Sequence, residues 1–499
     1  MKMAASKRYL SLLVFTLAGL YTYFMTRHVV SMHNQYMQMG DFAAYDQVVW
    51  SLSELFSFKS SICGSIMNAW TTIGAKSAEA VPPLNLNYNA LGIHFIPSLF
   101  FTNAIANFIY NSPYTTYLMQ TLAFSISSVL LFYVLVGQKV SPWIATALAI
   151  SFLIHPANIG ANVNAFHPVT MAIPFLIILY YFAITSKIKS YWLLFFFIGF
   201  IQENLWITLT AFTLIFLFQK KWKRAAANLA IGLLFLILTT QFFIPYFNPE
   251  HTCPYCSIYG SPLGGSMAEI IKNIILKPGT AWSLLIRSEV MEWLNQLFKP
   301  TLYLVLLNPI AFLIAIAGIV PNILSTNKAM HIMWGQYNAL AMPFLYLGAG
   351  LGFNLLQSKM RFKVLRYSWL WAFVILWVSI GAAKDWAVSS TTQMENIFTF
   401  NQPVYVNPDM KKSYDEVKER IPVDASVSAT ELFLNTINRR RLAFLFPVGF
   451  LEADYVVIEK SNLTIPKENY QPRMNDVRSS GKYDLAVDDA HIQLWIKKK

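Results

Sequence analysis

The stretch YLSLLVFTLAGLYTYFM, residues 9–25, contains no charged side chain and follows the basic residues Lys2, Lys7 and Arg8. At 1.5 Å per helical residue, a run of this length approaches the roughly 30 Å hydrocarbon core of a bilayer. No small-residue cleavage site follows it, so it differs from a secretory signal peptide. It predicts a retained first span with the N-terminus in the cytoplasm.

Similar apolar runs recur along the 499-residue chain, which is 56% hydrophobic and only 13% charged. An ordinary globular chain carries about 25% charged residues. This composition excludes a soluble enzyme and predicts a mainly α-helical membrane protein with many spans.

The net charge of +13 arises from 38 basic and 25 acidic residues. Residues 389–499 contain 15 of each sign, so the excess belongs to the preceding part of the chain. A nucleic-acid binder gathers its basic residues on one soluble face, whereas these lie in short clusters between apolar runs. We therefore expect no nucleic-acid partner.

Basic clusters without acidic residues mark the cytoplasmic ends of the predicted spans. These clusters are Lys2/Lys7/Arg8, Lys139, Lys187/Lys189, Lys220/Lys221/Lys223/Arg224 and Lys359/Arg361/Lys363/Arg366. Alternation between them predicts a multi-pass domain in the cell (inner) membrane over residues 1–388, with external loops at about 27–112 and 247–299. It places a C-terminal domain, residues 389–499, outside.

Two further apolar stretches are not expected to cross the membrane once as upright helices. Residues 92–110 would put Lys139 on the outer side if they crossed, so an interfacial or re-entrant helix is preferred. Residues 301–324 are interrupted at Pro309 and Pro321 and are expected to dip into the membrane and return.

The C-terminal domain combines short β-strand patterns with helical ones, which predicts a small α/β domain with a partly parallel sheet. The expected strands are Val404–Val406, Ala425–Ala429, Leu442–Phe446, Tyr455–Ile458 and Ile492–Ile496. The expected helices are Lys411–Arg420 and Glu431–Ile437. A glycine-rich phosphate loop is missing from this part of the sequence.

Acidic residues are scarce before residue 389, which makes Asp41 and Asp46 informative. The aromatic residues and valines of Gly40–Trp50 suit an interfacial helix, on which positions 41 and 45, or 42 and 46, share a face. Such a helix holds a carboxylate at the water boundary. The alternative is that Asp41 only caps the helix and that Asp46 is solvated.

Three of the eight histidines, His94, His155 and His167, fall on the predicted external side. Imidazoles there can bind a phosphate, a divalent metal or a sugar hydroxyl. The alternative for each is a buried, hydrogen-bonded role or a helix end before proline.

Glu203 interrupts a 30-residue, largely apolar run between Lys189 and Lys220, which predicts a helical hairpin with this carboxylate at its outer tip. An ionisable group within an apolar run is costly and is therefore a functional candidate. The alternative is that Glu203 has no functional role and only contacts water at the tip of the hairpin.

The three cysteines are too few for a disulfide framework. Cys253 and Cys256 form a close pair with only His251 nearby, whereas a zinc site needs about four ligands. A local disulfide or two free thiols is favoured over a metal or redox role, and Cys63 stands alone.

The chain resembles a family of uncharacterised, predicted polytopic membrane proteins of prokaryotes that is grouped with the GT-C glycosyltransferases. The resemblance covers roughly residues 8–460. It rests on the motifs Gly40–Trp50, His94–Pro97, His155–Pro156, Phe166–Pro168, Gln202–Asn204, Ala425–Thr430 and Ala453–Ile458. One departure is Gln336 before Tyr337, where the family pattern favours a histidine, and His331 is the candidate substitute for it.

The resemblance implies a GT-C-like multi-span bundle with interfacial helices in its first external loop. It also implies a polyprenyl-phosphate-linked sugar as donor, within the membrane lipid, and transfer to an unidentified acceptor at the external face. Asp41 matches the general base of GT-C enzymes best and Asp46 comes second.

The other residues implied by the resemblance surround this carboxylate. Glu203 is a third catalytic candidate, orienting the acceptor or an imidazole. The candidates for binding phosphate or sugar are His94, His155, His167 and Gln47. Asp41 and His94 are also candidate ligands of a divalent cation, Mg²⁺ or Mn²⁺.

Two other function classes remain open from the sequence. A transporter predicts polar residues near mid-membrane and an internal inverted repeat, neither of which stands out. A non-catalytic protein that binds lipid or presents its C-terminal domain is the second alternative.

Overall fold

The computed structural model describes residues 2–38, 40–66, 88–248, 262–264, 267–359, 366–389, 407–460 and 467–498. Helices dominate the chain before residue 390. They are α1 Lys2–Asn34, α2 Gly40–Leu55, α3 Phe100–Ile109, α4 Pro113–Gly137, α5 Pro142–Ile154, α6 Pro156–Asn164, α7 Pro168–Ile184, α8 Ile188–Gly199, α9 Leu205–Phe218, α10 Trp222–Phe247, α11 Met267–Leu276, α12 Pro278–Leu285, α13 Ser288–Phe298, α14 Pro309–Leu324, α15 Met342–Lys359 and α16 Ser368–Ser389.

Five helical stretches in the described residues are long and apolar enough to cross a membrane. They are Lys7–Asn34, Pro113–Gly137, Pro142–Asn164, Trp222–Phe247 and Ser368–Ala387. Large apolar side chains remain exposed on the outer faces, including Leu193 at 78% and Trp377 at 69%. Surfaces of this kind are stable when lipid covers them. The protein is a multi-pass membrane protein, as predicted.

Helix α4 lies at the centre of the bundle, where it packs against α1, α5, α7 and α15. Its start is specified locally, because the Ser112 hydroxyl accepts a hydrogen bond from the Tyr114 amide and Pro113 occupies the first turn. Its buried hydroxyls are satisfied within the bundle. Ser127 donates to the Ala123 carbonyl and Ser128 to the Ala149 carbonyl of α5. A polar residue is tolerated in an apolar bundle when it is paired in this way.

Helix α3 is too short to cross a bilayer, since ten residues rise only about 15 Å. Its apolar side chains face outward, with Phe101 63% and Phe108 67% exposed, while Asn103 and Asn107 are buried. This inverted polarity is typical of a helix that faces lipid and turns its polar side toward the protein. The prediction of a short, non-crossing helix is confirmed.

The structure tests three further sequence predictions for the bundle, of which one is confirmed and two are corrected. Helices α8 and α9 form the predicted hairpin, and Glu203 lies in the turn between them. Helix α1 continues to Asn34, so the first loop begins later than residue 27, because His28 and Val29 are buried against the bundle. Pro321 does not break α14, in which packing of neighbouring residues compensates for one missing amide donor.

The C-terminal domain contains a mixed five-stranded sheet and three helices in its described part. The strands are β1 Val427–Ala429, β2 Ala443–Leu445, β3 Tyr455–Glu459, β4 Tyr483–Asp488 and β5 Ile492–Lys497. The helices are α17 Pro408–Glu419, α18 Glu431–Leu434 and α19 Lys467–Ser479. The expected strand at 404–406 lies outside the described residues.

The sheet order is β2-β1-β3-β5-β4, in which β1 pairs in parallel with β2 and β3, while β5 is antiparallel to β3 and β4. The prediction of a partly parallel sheet is confirmed. Sequence analysis missed α19 and β4. The strand β4 is an edge strand whose side chains are mostly exposed, so it lacks a regular apolar alternation.

Glu459 is the last residue of β3, and its carboxyl is buried at 3% exposure beside Thr430 and the first turn of α18. Burial raises its pKa to about 7, and the hydroxyls of Thr430 and Tyr414 offset only part of this effect. A raised pKa means that the folded state holds its proton to higher pH than the unfolded chain does.

We expect the sheet to lose stability as pH rises from about 4.5 through 7, by an amount on the order of 3 kcal/mol. Glu459→Gln should abolish this dependence, because the amide does not ionise. Hydrogen exchange of β1 and β3 amides, corrected for the intrinsic pH dependence of exchange, measures the effect. Equal pH dependence in both proteins would contradict the assignment.

Candidate functional site

Three segments distant in sequence meet at the start of α2. Asp41 lies in the first turn of α2, and its Oδ2 is 3.3 Å from Nε2 of His167, just before α7. His94 lies near enough to influence the ionisation of Asp41 electrostatically. The structure therefore brings together three of the predicted site residues.

The Asp41 side chain is 59% exposed, whereas that of His167 is only 4% exposed. Desolvation by surrounding protein would by itself raise the pKa of Asp41, but the hydrogen bond from His167 and the charges of His167 and His94 hold it below its usual value. Asp41 thus presents an ionised, solvent-accessible carboxylate beside two imidazoles.

His167 is held in place by Gln120 of α4. The Gln120 Oε1 accepts hydrogen bonds from the His167 amide at 3.0 Å and the Thr170 hydroxyl at 2.9 Å. The Nε2 of Gln120 donates to the carbonyls of residues 161, 162 and 165, which fixes the preceding turn. The His167 ring lies between two acceptors, the Ala165 carbonyl and the Asp41 carboxylate. Both ring nitrogens of His167 therefore face groups of the protein.

His94 and Glu203 form a second imidazole–carboxylate pair, with Nδ1 of His94 2.7 Å from Oε1 of Glu203. The other oxygen, Oε2, accepts a hydrogen bond from the Phe95 amide at 2.9 Å. Both carboxylate oxygens are therefore used to hold the His94 turn. Glu203 orients an imidazole, which is one of the two roles expected for it.

Tyr45 links the two imidazoles. It lies one helical turn after Asp41, and its ring centre is 6.1 Å from that of His94 and 5.7 Å from that of His167. Sequence analysis did not select Tyr45, although the shared face of positions 41 and 45 was the signal for it.

Tyr337 is the second residue that sequence analysis missed. Burial raises its pKa, and the negative charge of Asp41 adds to this effect. His331, the candidate substitute for the family histidine, has its Nε2 2.7 Å from the carbonyl of Asn322, whose Nδ2 donates to the Tyr337 carbonyl. Tyr337 was recognisable only through the family pattern around it.

Asp46 has a different environment from Asp41, because it is fully buried and forms a bidentate ion pair with Arg439 of the C-terminal domain. Thr116 and Asn438 donate the remaining hydrogen bonds to its two oxygens. The alternative that Asp46 is solvated is wrong. With four donors on its carboxylate, Asp46 is suited to joining the domains rather than to accepting a proton.

Gln47 and His155 also make their polar contacts inside the fold. Gln47 Oε1 accepts from the Ser60 hydroxyl and the Ile62 amide, while its Nε2 donates to Ser61 and to the Arg440 carbonyl. His155 is fully buried. Its Nδ1 accepts from the Ala157 amide at the start of α6, and its Nε2 faces the Leu297 carbonyl. This geometry matches the helix-end alternative for His155.

The candidate metal ligands Asp41 and His94 belong to separate pairs, one with His167 and the other with Glu203. Within the described ranges, no group of three or more His, Cys, Asp and Glu side chains could hold a metal ion. The divalent cation stays a prediction, and no step proposed below depends on it. Cys253 and Cys256 lie outside the described residues, and Cys63 is a buried free thiol.

The family model described as "Predicted membrane protein (DUF2079)" matches residues 36–492. The chain belongs to this family. No functionally curated protein matches it.

Among solved structures, this DUF2079 protein is similar to the crystal structure of ArnT from Cupriavidus metallidurans bound to undecaprenyl phosphate. The sequence identity is 10%, the match covers 99% of this chain and 97% of that chain, and the TM-score is 0.53. The apo-state crystal structure of ArnT has 10% identity over 90% of this chain and 95% of that chain, with a TM-score of 0.44. ArnT is a GT-C glycosyltransferase, and the predicted GT-C-like fold is confirmed.

Proposed function

We propose that this DUF2079 protein transfers a sugar from a polyprenyl-phosphate donor to an acceptor at the external face of the cell membrane. The observation that carries the proposal is the Asp41 site. An ionised, accessible carboxylate lies 3.3 Å from the His167 ring and near His94, within a GT-C fold. The similar ArnT structure contains undecaprenyl phosphate, which supports a lipid of this class as the partner.

The proposed orientation follows the basic clusters and puts the N-terminus in the cytoplasm. Asp41 and the C-terminal domain then lie on the external side, together with the two imidazoles. The outer faces of the bundle are apolar, so the polyprenyl chain can stay in lipid while its phosphate approaches Asp41 and the two imidazoles.

In the proposed reaction, the acceptor hydroxyl attacks the anomeric carbon of the donor sugar. Asp41 takes the hydroxyl proton as the new carbon–oxygen bond forms. The bond between the anomeric carbon and the phosphate oxygen breaks on the opposite side, and its electron pair leaves with the phosphate. The products are a glycoside of inverted configuration, polyprenyl phosphate and a protonated Asp41.

The imidazoles of His94 and His167 are placed to stabilise the negative charge that develops on the leaving phosphate. Glu203 supports this by fixing His94, while Asp41 and the Ala165 carbonyl hold the His167 ring in place. Asp41 thereby acts on the acceptor hydroxyl, and the two imidazoles act on the phosphate of the donor.

Binding of undecaprenyl phosphate to the protein in nanodiscs tests the donor side of this proposal. His94→Gln should weaken binding about tenfold or more, because it removes a charge-assisted hydrogen bond to phosphate. His167→Gln should weaken binding by a smaller factor, because both nitrogens of that ring already face Asp41 and the Ala165 carbonyl. His491→Gln, in the C-terminal domain, is the matched control and should bind like the wild type. Absence of lipid binding, or equal affinity in all four proteins, would favour a scaffold or a transporter.

A further inference from the structure

The helix that carries Asp41 begins with backbone amides that need acceptors, because first-turn amides have no partner within the helix. Two side chains of the C-terminal domain supply them, one from α18 and one from the residue that follows it. Oε1 of Glu431 accepts from the Gly40 amide at 2.7 Å, and Oδ1 of Asn435 accepts from the Ala43 amide at 2.9 Å. The cap of α2 therefore comes from a segment about 390 residues later in the chain.

The same segment also holds the chain just before α2. Nδ2 of Asn435 donates to the Gln38 carbonyl at 2.6 Å and to the Glu431 carbonyl at 3.0 Å. The ring of Tyr36 stacks on that of Phe433 with centres 5.7 Å apart. Entry into α2 and its first turn are thus fixed by one short helix.

Gly40 allows this contact to form. A Cβ atom at position 40 would lie 2.7 Å from Cγ and 2.9 Å from Oε1 of Glu431. Any larger residue at position 40 must therefore displace the Glu431 side chain.

The contacts continue along one face of α2. Asp46 pairs with Arg439, and Gln47 donates to the Arg440 carbonyl. In helical projection, positions 43 and 47 lie opposite positions 41 and 45. One face of α2 is thus bound to the C-terminal domain while the other presents Asp41 and Tyr45 to the site.

We propose that Glu431 and Asn435 are positioning residues that set the direction of Asp41, so that the C-terminal domain is part of the catalytic site. This inference rests on the proposed function and deepens it. The acidic cap also complements the partial positive charge at the helix N-terminus, which favours the observed start of α2 over a frayed one.

Glu431→Ala removes the acceptor and is expected to reduce sugar transfer about tenfold, while affinity for undecaprenyl phosphate stays within about twofold, because the imidazoles remain. Glu431→Gln keeps an oxygen acceptor and should restore most of the transfer. Glu416→Ala, which removes an exposed carboxylate of α17, is the matched control and should have no effect.

Gly40→Ala tests the same contact from the other side. In the wild-type background it should lower transfer as Glu431→Ala does, since the new methyl group displaces the Glu431 carboxylate. In the Glu431→Ala background it should add no further loss, because the obstructing side chain is absent. Additive losses would overturn the proposal.

A readout that needs no transfer separates this inference from the proposed function. The His167 ring is shielded beside Asp41, so Glu431→Ala and Gly40→Ala should increase its rate of labelling by diethyl pyrocarbonate, and Glu416→Ala should not. Unchanged labelling would refute the positioning role. Increased labelling in a protein that transfers no sugar would refute the proposed function alone.

Discussion

Replacing Asp41 with asparagine is expected to reduce sugar transfer by about 10²–10⁴-fold, the usual contribution of a general base. The substitution keeps the size of the side chain and its hydrogen bond to His167, but it removes the oxygen that accepts a proton. Transfer is measured as release of undecaprenyl phosphate from an undecaprenyl-phosphate-linked sugar, with membranes as the source of acceptor.

The control for this experiment is Asp385→Asn, which neutralises an exposed carboxylate near the end of α16. It should transfer at the wild-type rate. Binding of undecaprenyl phosphate to the Asp41→Asn variant should persist, because the imidazoles are unchanged. Wild-type transfer by Asp41→Asn would exclude Asp41 as the base.

The pH dependence of the wild-type reaction has a defined sign. The pKa of Asp41 is lowered in spite of desolvation, through its hydrogen bond with His167 and the charges of His167 and His94. A base acts in its ionised form, so the acid limb due to Asp41 should lie below pH of about 4. An acid limb at neutral pH would have to arise from another group.

Replacing Arg439 with methionine is expected to destabilise the folded protein by about 3–5 kcal/mol, because it leaves a buried carboxylate without its counter-ion. Arg439 donates to both oxygens of Asp46 and also to the Oδ1 atoms of Asn107 and Asn111. Its side chain is 13% exposed and that of Asp46 is 0% exposed, so water cannot replace the lost contacts. Thermal unfolding and hydrogen exchange of α2 measure the effect.

The direction in which stability changes with pH follows from the ionisation of Asp46 in its ion pair with Arg439. Burial would raise the pKa of Asp46, but the charge and hydrogen bonds of Arg439 lower it. The wild-type pair therefore stabilises the fold above the unfolded pKa of about 3.9 and loses this contribution as pH falls through the lower folded pKa. The difference between wild type and Arg439→Met should shrink in acid, where Asp46 is protonated in the variant.

Two further variants test the assignment of this effect to the ion pair. Arg441→Met, which changes an exposed arginine two residues away, should have little effect on stability. Combining Arg439→Met with Asp46→Asn should recover part of the lost stability, since no charge is then buried alone. A double variant that is as unstable as the sum of the two single variants would refute this explanation.

The elements that could be predicted from the sequence are those that depend on local contacts. The hairpin around Glu203, the short helix α3 and most of the C-terminal strands were predictable, because each depends on the polarity pattern of neighbouring residues. The candidate set of Asp41, His94 and His167 was found by placing residues on one side of the membrane. The missed edge strand β4 lacks such a pattern.

The pairings within the site could not be predicted in the same way. Asp41 and Asp46 lie on one helix in similar sequence surroundings, and their different roles depend on partners far along the chain. His167 follows Asp41 by 126 residues, and Arg439 follows Asp46 by 393 residues. Residue type and spacing do not encode contacts over such separations.

The sequence by itself determined a multi-pass helical bundle with a small α/β domain after it, because burial in lipid and pairing in a sheet impose short-range patterns on the chain. Only the tertiary structure decided that Asp41 is accessible beside His167 while Asp46 is buried under Arg439. The physical reason is that the charge state and accessibility of a carboxylate depend on the groups packed around it. For Asp41 this group comes from the segment before α7, and for Asp46 it comes from the C-terminal domain, so only the folded chain brings them together.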